Sequence, residues 1–557
     1  MRIKNKELTF LMTHARFAFL ALLMITNYSF ASMKPNFLLI MAEDMSSRVG
    51  AFGDSVANTP HLDALAQKGI MYTNVFTTAG VCSPSRAAHI LSKHQISTGS
   101  QHMRTKAFKE SKYRSVPQNH IKAYPEVLRA NGYFTFVVNK LDYQFSDVFV
   151  KSGPFSIWDH EGSEIAWNKR DPGQPFFGFV TFYETHESKL FPNYIKRVKT
   201  KFENYLKTNP NQVVVPPYYP DNAVIRNDIA NHYNNISLMD GLVGDLLKRL
   251  ESDGLANNTI IIWTTDHGDG LPRGKRELYD SGIKVPLILY VPEKYQNFDK
   301  TIKFDNRLIS FLDIGPSILE LAGIPIPSYM DGSPQLYNKN VKHRKFIYAS
   351  KDRLDEFEFR ERAVRDRRFK YIKNYMPNRP GATHLAYRDQ MLLMQSLWEN
   401  HEAGKLNEIQ SRWFDERPEH ELYDIENDPY ETKNLAYVND YKEQLARMTA
   451  ALSEWLSTTA DMSDEPEIQM ARKFWPNQKQ PVTDMPTFRI NNDKELILIP
   501  NHEFDSLGYK LNDDRWKLYI KPFKVSENDK VRAKAVRYGW AESCLLYTSD
   551  AADEFSC

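Results

Sequence analysis

The chain has 557 residues, of which 42% are hydrophobic and 25% are charged, and its formal net charge at pH 7 is +2. This composition is that of an ordinary globular protein with room for two or three domains. Four basic residues and Glu7 give residues 1–31 a net charge of +3, which leaves the rest of the chain close to −1. No basic stripe indicates nucleic-acid binding, so any anion site must be local.

Residues 1–31 have the pattern of a secretory signal peptide. Basic residues come first, and the apolar run FAFLALLMI and the small-x-small sequence Ser29-Phe30-Ala31 follow. The apolar run is too short to span a bilayer, and no later segment approaches the roughly 18 apolar residues that a transmembrane helix needs. No cysteine follows the run, which argues against a lipoprotein anchor. The sequence therefore predicts a periplasmic or secreted protein with no stable membrane insertion.

Strand and helix patterns alternate over residues 32–345. Five continuous apolar runs are predicted as strands, at residues 36–41, 134–138, 176–183, 259–263 and 285–291. Such runs are typical of parallel strands that are covered on both faces. Helices are predicted between them, one with Thr59 as N-cap and Gly69 as its end, and one over residues 227–252. The pattern indicates an α/β domain with a doubly wound, largely parallel sheet.

Polar side chains follow the first four of these strands. In chain order they are Glu43 and Asp44, Lys140, His186, and Asp266 with His267. A single polar ending of this kind is typical of a capped turn. Four of them are expected to lie together, because the carboxyl ends of parallel strands meet at one edge of the sheet, and ligands bind at that edge. Three carboxylates there favour a hard divalent cation, and oxygen ligands favour calcium. His267 is a softer ligand than a carboxylate. The sequence therefore predicts the presence of a metal ion more firmly than its identity.

Cys82 lies in the segment GVCSPSRAAHIL, residues 80–91. Ser83 is predicted to cap, and Pro84 to begin, a helix over residues 84–93, whose positive end would face Cys82 and a bound anion. Arg86 lies in the first turn of that helix. Together with Lys140 and the predicted divalent cation, Arg86 and the start of this helix predict a pocket for a tetrahedral oxyanion.

The other two cysteines lie in CLLYTSDAADEFSC, residues 544–557. The composition of this segment departs from what precedes it and resembles translated adapter sequence, so we assign it as a non-native tail. Cys82 is then the only native cysteine. A lone thiol in an oxidising compartment is either used chemically or buried as an inert small hydrophobe, and spacing alone does not decide between the two.

Together these segments resemble the type I sulfatases of the alkaline-phosphatase superfamily. CSPSR matches the family's Cys-x-Pro-Ser-Arg signature, and the similarity covers most of residues 34–436, through PNFLLIMAED, NTPHLDALAQKGIMYTNVFTT, WTTDHGD, GKRELYDSGIKVPLILY and ELYDIENDPYETKNLA. Some segments depart from the common pattern, among them LSKH after the signature and NKLDY at residues 139–143. These departures are closest to the sulfamidase-related bacterial polysaccharide sulfatases.

The resemblance implies a chemistry for Cys82. A maturation enzyme oxidises the family's signature cysteine to formylglycine (3-oxoalanine), whose hydrate attacks sulfur with one hydroxyl and expels sulfate with the help of the other. By position, the calcium ligands would be Glu43, Asp44, Asp266 and His267. The residues contacting sulfate or the modified residue would be Arg86, Lys140, His186 and Lys275.

Three further residues are assigned to the site. NKLDY lacks the histidine that follows the lysine in the family pattern, and we expect His102 to replace it in catalysis. Arg104 and Arg353 are predicted to contact substrate. Simple solvation of a loop is the alternative interpretation for His102 and Arg104.

The rest of the chain is predicted to form smaller units. Residues 346–460 resemble the family's C-terminal α+β subdomain, with a strand at RFKYIKNY and a helix over residues 438–457. Prolines and charges scattered through residues 461–486 indicate a linker. Residues 487–543 alternate like short antiparallel strands and resemble a small immunoglobulin-like β domain.

These features favour an exported sulfatase acting on a sulfated polysaccharide or its oligosaccharides, algal (such as ulvan) or glycosaminoglycan-like. A phosphate or phosphonate monoester hydrolase of the same superfamily is the first alternative. A non-catalytic carbohydrate-binding relative is the second, although Cys82, Arg86 and Lys275 are all present.

Overall fold

The computed structural model describes residues 34–109, 112–201, 208–296, 303–338 and 340–547. The predicted signal peptide and the last ten residues of the predicted tail lie outside these ranges. Within the described part of the chain, no helix combines the length and the apolar character needed to cross a membrane. All the strands and helices belong to one unit that begins at Asn36.

The central sheet has nine strands. They are β1 (Asn36–Ala42), β2 (Ile70–Phe76), β3 (Phe134–Val138), β4 (His160–Gly162), β5 (Phe176–Phe182), β6 (Thr259–Thr265), β7 (Lys284–Tyr290), β8 (Phe304–Asp305) and β9 (Ile309–Ser310). Their order is β4-β3-β5-β1-β6-β7-β2-β8, with β9 also paired to β2. Only β7 runs antiparallel to its neighbours, β6 and β2. The prediction of a largely parallel sheet is confirmed.

The predicted strands all form, but sequence patterning missed β2. Its apolar run is interrupted by Thr73 and Asn74, where its pairing register with β7 shifts. This irregular strand extends the sheet beyond β7, so the sheet is wider than the five predicted strands imply.

Helices cover both faces of the central sheet. Eleven α-helices are described: α1 (Pro60–Lys68), α2 (Cys82–Leu91), α3 (Tyr124–Ala130), α4 (Pro192–Lys201), α5 (Ala223–Ser252), α6 (Asp280–Ile283), α7 (Ile314–Leu321), α8 (Leu392–Glu402), α9 (Glu408–Ser411), α10 (Lys442–Thr458) and α11 (Glu467–Phe474). Alternate residues of β1 enter two different cores. Leu38 and Ile40 pack into the cluster that contains α1 and α5 residues, whereas Leu39 packs into the cluster that contains α2, α3 and α7 residues. This alternation confirms the doubly wound α/β architecture.

A smaller antiparallel sheet follows the central one in sequence. Its four strands are β10 (Ile347–Lys351), β11 (Glu361–Arg365), β12 (Phe369–Asn374) and β13 (His420–Asp424), in that order. Met448 and Leu452 of α10 pack against Tyr371 and Leu422 of this sheet. The predicted strand and helix of this region are therefore both present.

Residues 461–486, predicted as a linker, contain the packed helix α11. Its Met470 and Phe474 are buried against Phe108 and Tyr113. The helix begins directly after Pro466, and the apolar residues within it have helical spacing. The scattered prolines obscured this pattern, and the division of the chain into domains stays a prediction.

The last described region forms two small antiparallel sheets. Their strands are β14 (Thr487–Ile490), β15 (Glu495–Ile499), β16 (Ser506–Leu511), β17 (Lys517–Leu518), β18 (Phe523–Lys524), β19 (Val531–Val536) and β20 (Leu546–Tyr547). Strands β14, β15 and β18 form one sheet, and β17, β16, β19 and β20 form the other. Leu496 and Leu507 share one hydrophobic cluster, so the two sheets pack on each other. β20 lies inside the segment assigned as a non-native tail, and that assignment stays a prediction.

Candidate active site

The sheet order brings the predicted polar strand endings together. Strands β3, β5, β1 and β6 are consecutive neighbours and run parallel. Each carries a predicted site residue just beyond its carboxyl end, so the four endings lie side by side at one edge, as expected for parallel strands. Asp44 has a left-handed backbone (φ 49°), and its amide donates to Asp266 Oδ1 at 3.1 Å, which ties the β1 and β6 endings together.

Helix α2 brings Cys82 to the same edge. The helix begins at Cys82 itself, two residues earlier than predicted, and Val81 occupies the N-cap position without a side-chain cap. Ser83 does not cap the helix, because its hydroxyl is hydrogen-bonded to Asp142. Ser85 Oγ donates to the Asp266 carbonyl at 2.6 Å, which fixes the helix start against the end of β6.

Gly80 allows a second loop to approach Cys82. A Cβ placed on this glycine would lie only 2.3 Å from the Glu277 carbonyl oxygen, and the Arg276 amide donates to the Gly80 carbonyl at 2.6 Å. The backbone of the loop that carries Lys275 therefore packs directly against the residues that precede Cys82.

The Cys82 thiol is fully buried among charged groups. Its Sγ lies 3.4 Å from His267 Nε2 and 3.8 Å from Asp44 Oδ1. Burial by itself would raise the pKa of this thiol, but the ammonium groups of Lys140 and Lys275 outweigh burial and bring the pKa to about 7. Positive charge around position 82 therefore favours an anion there.

Three buried cations surround the thiol, and each is paired with a carboxylate. Arg86 Nε lies 3.0 Å from Asp266 Oδ2, and Lys275 Nζ lies 2.5 Å from Asp44 Oδ2. Lys140 is paired with Glu43, whose Oε1 also lies 3.4 Å from Arg86 Nη2. Buried fixed cations of this kind stabilise negative charge strongly, since they require no reorganisation.

Four of the clustered side chains offer ligand atoms to a metal ion. The ligand atoms of Asp44, Cys82, Asp266 and His267 all lie within 4.8 Å of one another, and all four residues are buried. Burial opposes protonation of His267, but the two carboxylates outweigh it and raise its pKa to about 10. A site that stabilises an imidazolium between two carboxylates has the charge that a divalent cation requires, so these residues fit a metal ion.

Comparison with known proteins then identifies the family. A family model described as Sulfatase matches residues 35–162 and 160–324, and a second, described as N-sulphoglucosamine sulphohydrolase, C-terminal, matches residues 273–380. The chain belongs to the sulfatase family. The resemblance drawn from the sequence is thereby confirmed, and so is the assignment of the enzyme as a sulfuric ester hydrolase.

Individual relatives agree with this assignment. The sulfatase is 36% identical over 555 residues to an ulvan-active sulfatase of Formosa agariphila, covering 93% of this chain and 91% of the relative. It is 26% identical over 469 residues to human N-sulphoglucosamine sulphohydrolase, covering 76% of this chain and 90% of the relative. A solved structure of a 2-O GAG sulfatase has the same fold, with a TM-score of 0.55 and 20% identity over 79% of this chain and 96% of that one.

Most of the predicted site residues of the sulfatase lie in one cluster. His186 Nε2 is 3.2 Å from Lys275 Nζ and 4.0 Å from Asp44 Oδ2, so His186 joins the cluster at its partly exposed side. Glu43 lies in the cluster too, but its carboxylate pairs with Lys140 and Arg86 and is not among the four grouped ligand atoms.

His102 lies outside these contacts. Both of its ring nitrogens are buried without a hydrogen-bond partner, and burial lowers its pKa. The charged groups that act on it most strongly are Glu467 and Asp352, which are not members of the Cys82 cluster. A catalytic role for His102 stays a prediction.

The two predicted substrate arginines differ in their contacts. Arg104 has a left-handed backbone (φ 62°), and its guanidinium contacts Asp142 and lies 2.5 Å from Ser83 Oγ, next to Cys82. Arg353 instead pairs with Glu467 and donates to the Met103 carbonyl at 3.1 Å. Arg353 therefore fixes the backbone segment that carries Arg104, and only Arg104 contacts the start of α2.

Glu187 also belongs to the site, although no sequence motif indicates it. Its carboxylate accepts two hydrogen bonds from Arg276 at 2.8 and 2.9 Å and lies 3.0 Å from Lys275 Nζ. Its amide donates to Asp44 Oδ2 at 2.7 Å. In the sequence, Glu187 and Arg276 are distinguished only by their position directly after two predicted site residues, His186 and Lys275.

Proposed function

We propose that this sulfatase hydrolyses sulfate esters of a sulfated polysaccharide, or of its oligosaccharides, with a formylglycine nucleophile made from Cys82. The observation that carries the proposal is the position of Cys82 at the start of α2, enclosed by the cations of Arg86, Lys140 and Lys275. The relationship to an ulvan-active sulfatase over nearly the whole chain supports a polysaccharide as substrate.

The chain's own side chains would bind and orient the sulfate group. Lys140 and Lys275 both act electrostatically on position 82 and would offset the charge on the transferring group. Arg86 is fixed by Asp266 and Thr181 and would hold position 82 in place through the first turn of α2. When present, formylglycine supplies a hydrated aldehyde, of which one hydroxyl attacks and the other allows sulfate to leave.

A calcium ion is proposed at the same edge. Asp44, Asp266 and His267 would hold it, with Glu43 as the fourth ligand expected from the family pattern. When bound, the ion would supply positive charge against the sulfate oxygens. Calcium is favoured because most of these ligand atoms are carboxylate oxygens.

His186 is proposed as the acid that protonates the departing sugar oxygen. It is the member of the predicted catalytic set with partial access to solvent, 17% of its side chain being exposed. Its Nδ1 lies 2.9 Å from Ser188 Oγ, so the ring is held with its Nε2 towards Lys275. His102 remains the alternative acid.

Export, maturation of Cys82 and the division of the chain into domains are proposed as well. Residues 1–31 would direct export to the periplasm or the medium, and a maturation enzyme would read CSPSR and convert Cys82. We further propose 32–345 as the catalytic domain, 346–460 as its subdomain and 487–543 as a separate β domain.

A panel of defined sulfated oligosaccharides, each matched with the corresponding phosphate ester, tests the proposal. Sulfate release from at least one sulfated sugar, well above phosphate release from its match and lost in Cys82→Ala, is the expected result. Faster phosphate release would indicate a phosphate monoester hydrolase instead. Binding without turnover by the matured protein would indicate a non-catalytic relative.

A further inference from the structure

The rim of the Cys82 cluster contains an aromatic side chain that the reaction does not use. Tyr387 lies in the loop before α8, and its ring centroid is 6.5 Å from that of His186. It is 43% exposed, whereas Asp44, Glu187 and Lys275 are buried. Burial raises the pKa of its phenol, and Glu187, Lys275 and Asp44 also act on that group electrostatically, so Tyr387 lies within electrostatic range of the residues around Cys82.

Tyr387 is exposed but firmly held. Its ring packs edge-to-face on Phe191 at 5.1 Å. The Ser188 side chain opposes the effect of burial on the pKa of this phenol, and its Oγ lies 2.9 Å from His186 Nδ1. The following residue, Arg388, is buried over the Trp413 ring at 4.9 Å. A fixed aromatic side chain that keeps nearly half of its surface in water can bind a ligand with little loss of conformational entropy.

The chemistry of the ring indicates what it would bind. A pyranose ring has an apolar C–H face and a polar edge, and an aromatic ring with a polar hydroxyl matches this combination. A sugar packed on Tyr387 would lie beside His186, the proposed acid. Its sulfate ester would then point towards Lys275 and Cys82.

We propose that Tyr387 is a sugar-binding residue, on which the apolar face of the sulfated pyranose packs. This inference rests on the proposed function and deepens it. Tyr387 makes the site selective for sulfated pyranosides over sulfate esters that have no ring. The residue comes from the C-terminal half of the chain, so that half contributes to substrate choice as well as to packing.

The test compares Tyr387→Ala and Tyr387→Phe with the wild-type protein. Tyr437→Ala serves as a matched control, because Tyr437 is 67% exposed and no contact joins it to the Cys82 cluster among the described residues. Covering about 50 Å² of apolar surface corresponds to roughly a tenfold change in affinity. Tyr387→Ala should therefore raise KM for a sulfated oligosaccharide about tenfold. Tyr387→Phe should stay within about twofold, because it keeps the ring.

Inhibition by inorganic sulfate separates a lost sugar contact from a damaged pocket. Sulfate has no ring, so its inhibition constant should change less than about twofold in Tyr387→Ala. An unchanged KM in Tyr387→Ala would overturn the inference. The inference would also be overturned if sulfate inhibition weakened as much as KM rose in Tyr387→Ala, because Tyr387 would then only support the pocket. It would be overturned as well if Tyr387→Phe raised KM as much as Tyr387→Ala.

Calorimetric titration of sulfated oligosaccharide into the same variants, each carrying Cys82→Ala, keeps this inference separate from the proposed function. Hydrolysis by the wild type, together with an affinity that does not change when Tyr387 is replaced, would overturn the inference but not the proposed function. Binding that depends on Tyr387, without hydrolysis by the matured wild type, would support the inference and overturn the proposed function. Neither binding nor hydrolysis of any sulfated sugar would overturn both.

Discussion

Replacing Glu187 by Gln should destabilise the sulfatase and depress its activity together. Glu187 is 1% exposed and neutralises Arg276 and Lys275 at distances of 2.8 to 3.0 Å. The substitution keeps the size of the side chain but removes its charge. Two buried cations would then lose their shared counter-charge.

The expected loss of unfolding free energy depends on which carboxylates remain near each cation. Lys275 retains Asp44 at 2.5 Å, whereas among the described residues the one other carboxylate within 4 Å of the Arg276 guanidinium is Asp355, at 3.6 Å. Removing one partner of a buried ion pair costs about 3 to 5 kcal/mol, and the partial compensation at Lys275 places the expected loss near 3 kcal/mol. Displacement of Lys275 from its place above Cys82 should also lower kcat/KM by about tenfold or more, since catalysis is sensitive to small misplacements.

Urea unfolding followed by circular dichroism, in parallel with sulfate release, measures both effects. Glu408→Gln is the matched control, because Glu408 pairs with Arg412 at 2.6 Å but is 85% exposed. Exposed pairs contribute little to stability, so this control should barely change the unfolding free energy or the activity. Equal, small effects of the two substitutions would show that burial does not make the Glu187 ion pairs important for stability or activity.

Three other outcomes are expected. Chelation should abolish sulfate release and lower the unfolding temperature, and added calcium should restore both; full activity after chelation would exclude an essential metal. His186→Ala should reduce turnover of a sugar sulfate by roughly 10² to 10⁴ and reduce turnover of an activated aryl sulfate much less, because a phenolate leaves without a proton. The same pattern in His102→Ala instead would move the acid to His102, and equal losses on both substrates at both positions would make the histidines sulfate binders only. Gly80→Ala should destabilise the protein by about 1 to 3 kcal/mol, since its Cβ would meet the Glu277 carbonyl; wild-type stability measured by urea unfolding would show that the loop can shift.

Much of the site could be predicted because strand ends in a parallel sheet are close in space. Continuous apolar runs predicted β1, β3, β5 and β6, and their order in the sheet brought Asp44 and Asp266 together. Local sequence patterns and the general rule that ligands bind at the carboxyl ends of strands in α/β sheets are sufficient to predict this arrangement.

The remaining features depend on contacts that local patterns do not encode. Glu187 and Arg276 are 89 positions apart, and neither sequence context indicates a pair. Ser83 has the sequence position of a cap, but Asp142, 59 positions away, binds its hydroxyl instead. Helix α11 was hidden by the prolines on either side of it and is held by burial of Phe474 against Tyr113. In each case tertiary packing outweighed the local signal.

Mass spectrometry of the peptide that contains residue 82 tests whether formylglycine at this position is the nucleophile. Preparations expressed with and without a maturation enzyme would differ in the fraction of Cys82 converted to formylglycine. Specific activity on a sulfated sugar should rise in proportion to that fraction, and Cys82→Ser should be folded but inactive in both preparations. Full activity in protein that carries only the unmodified thiol at position 82 would contradict this role of formylglycine.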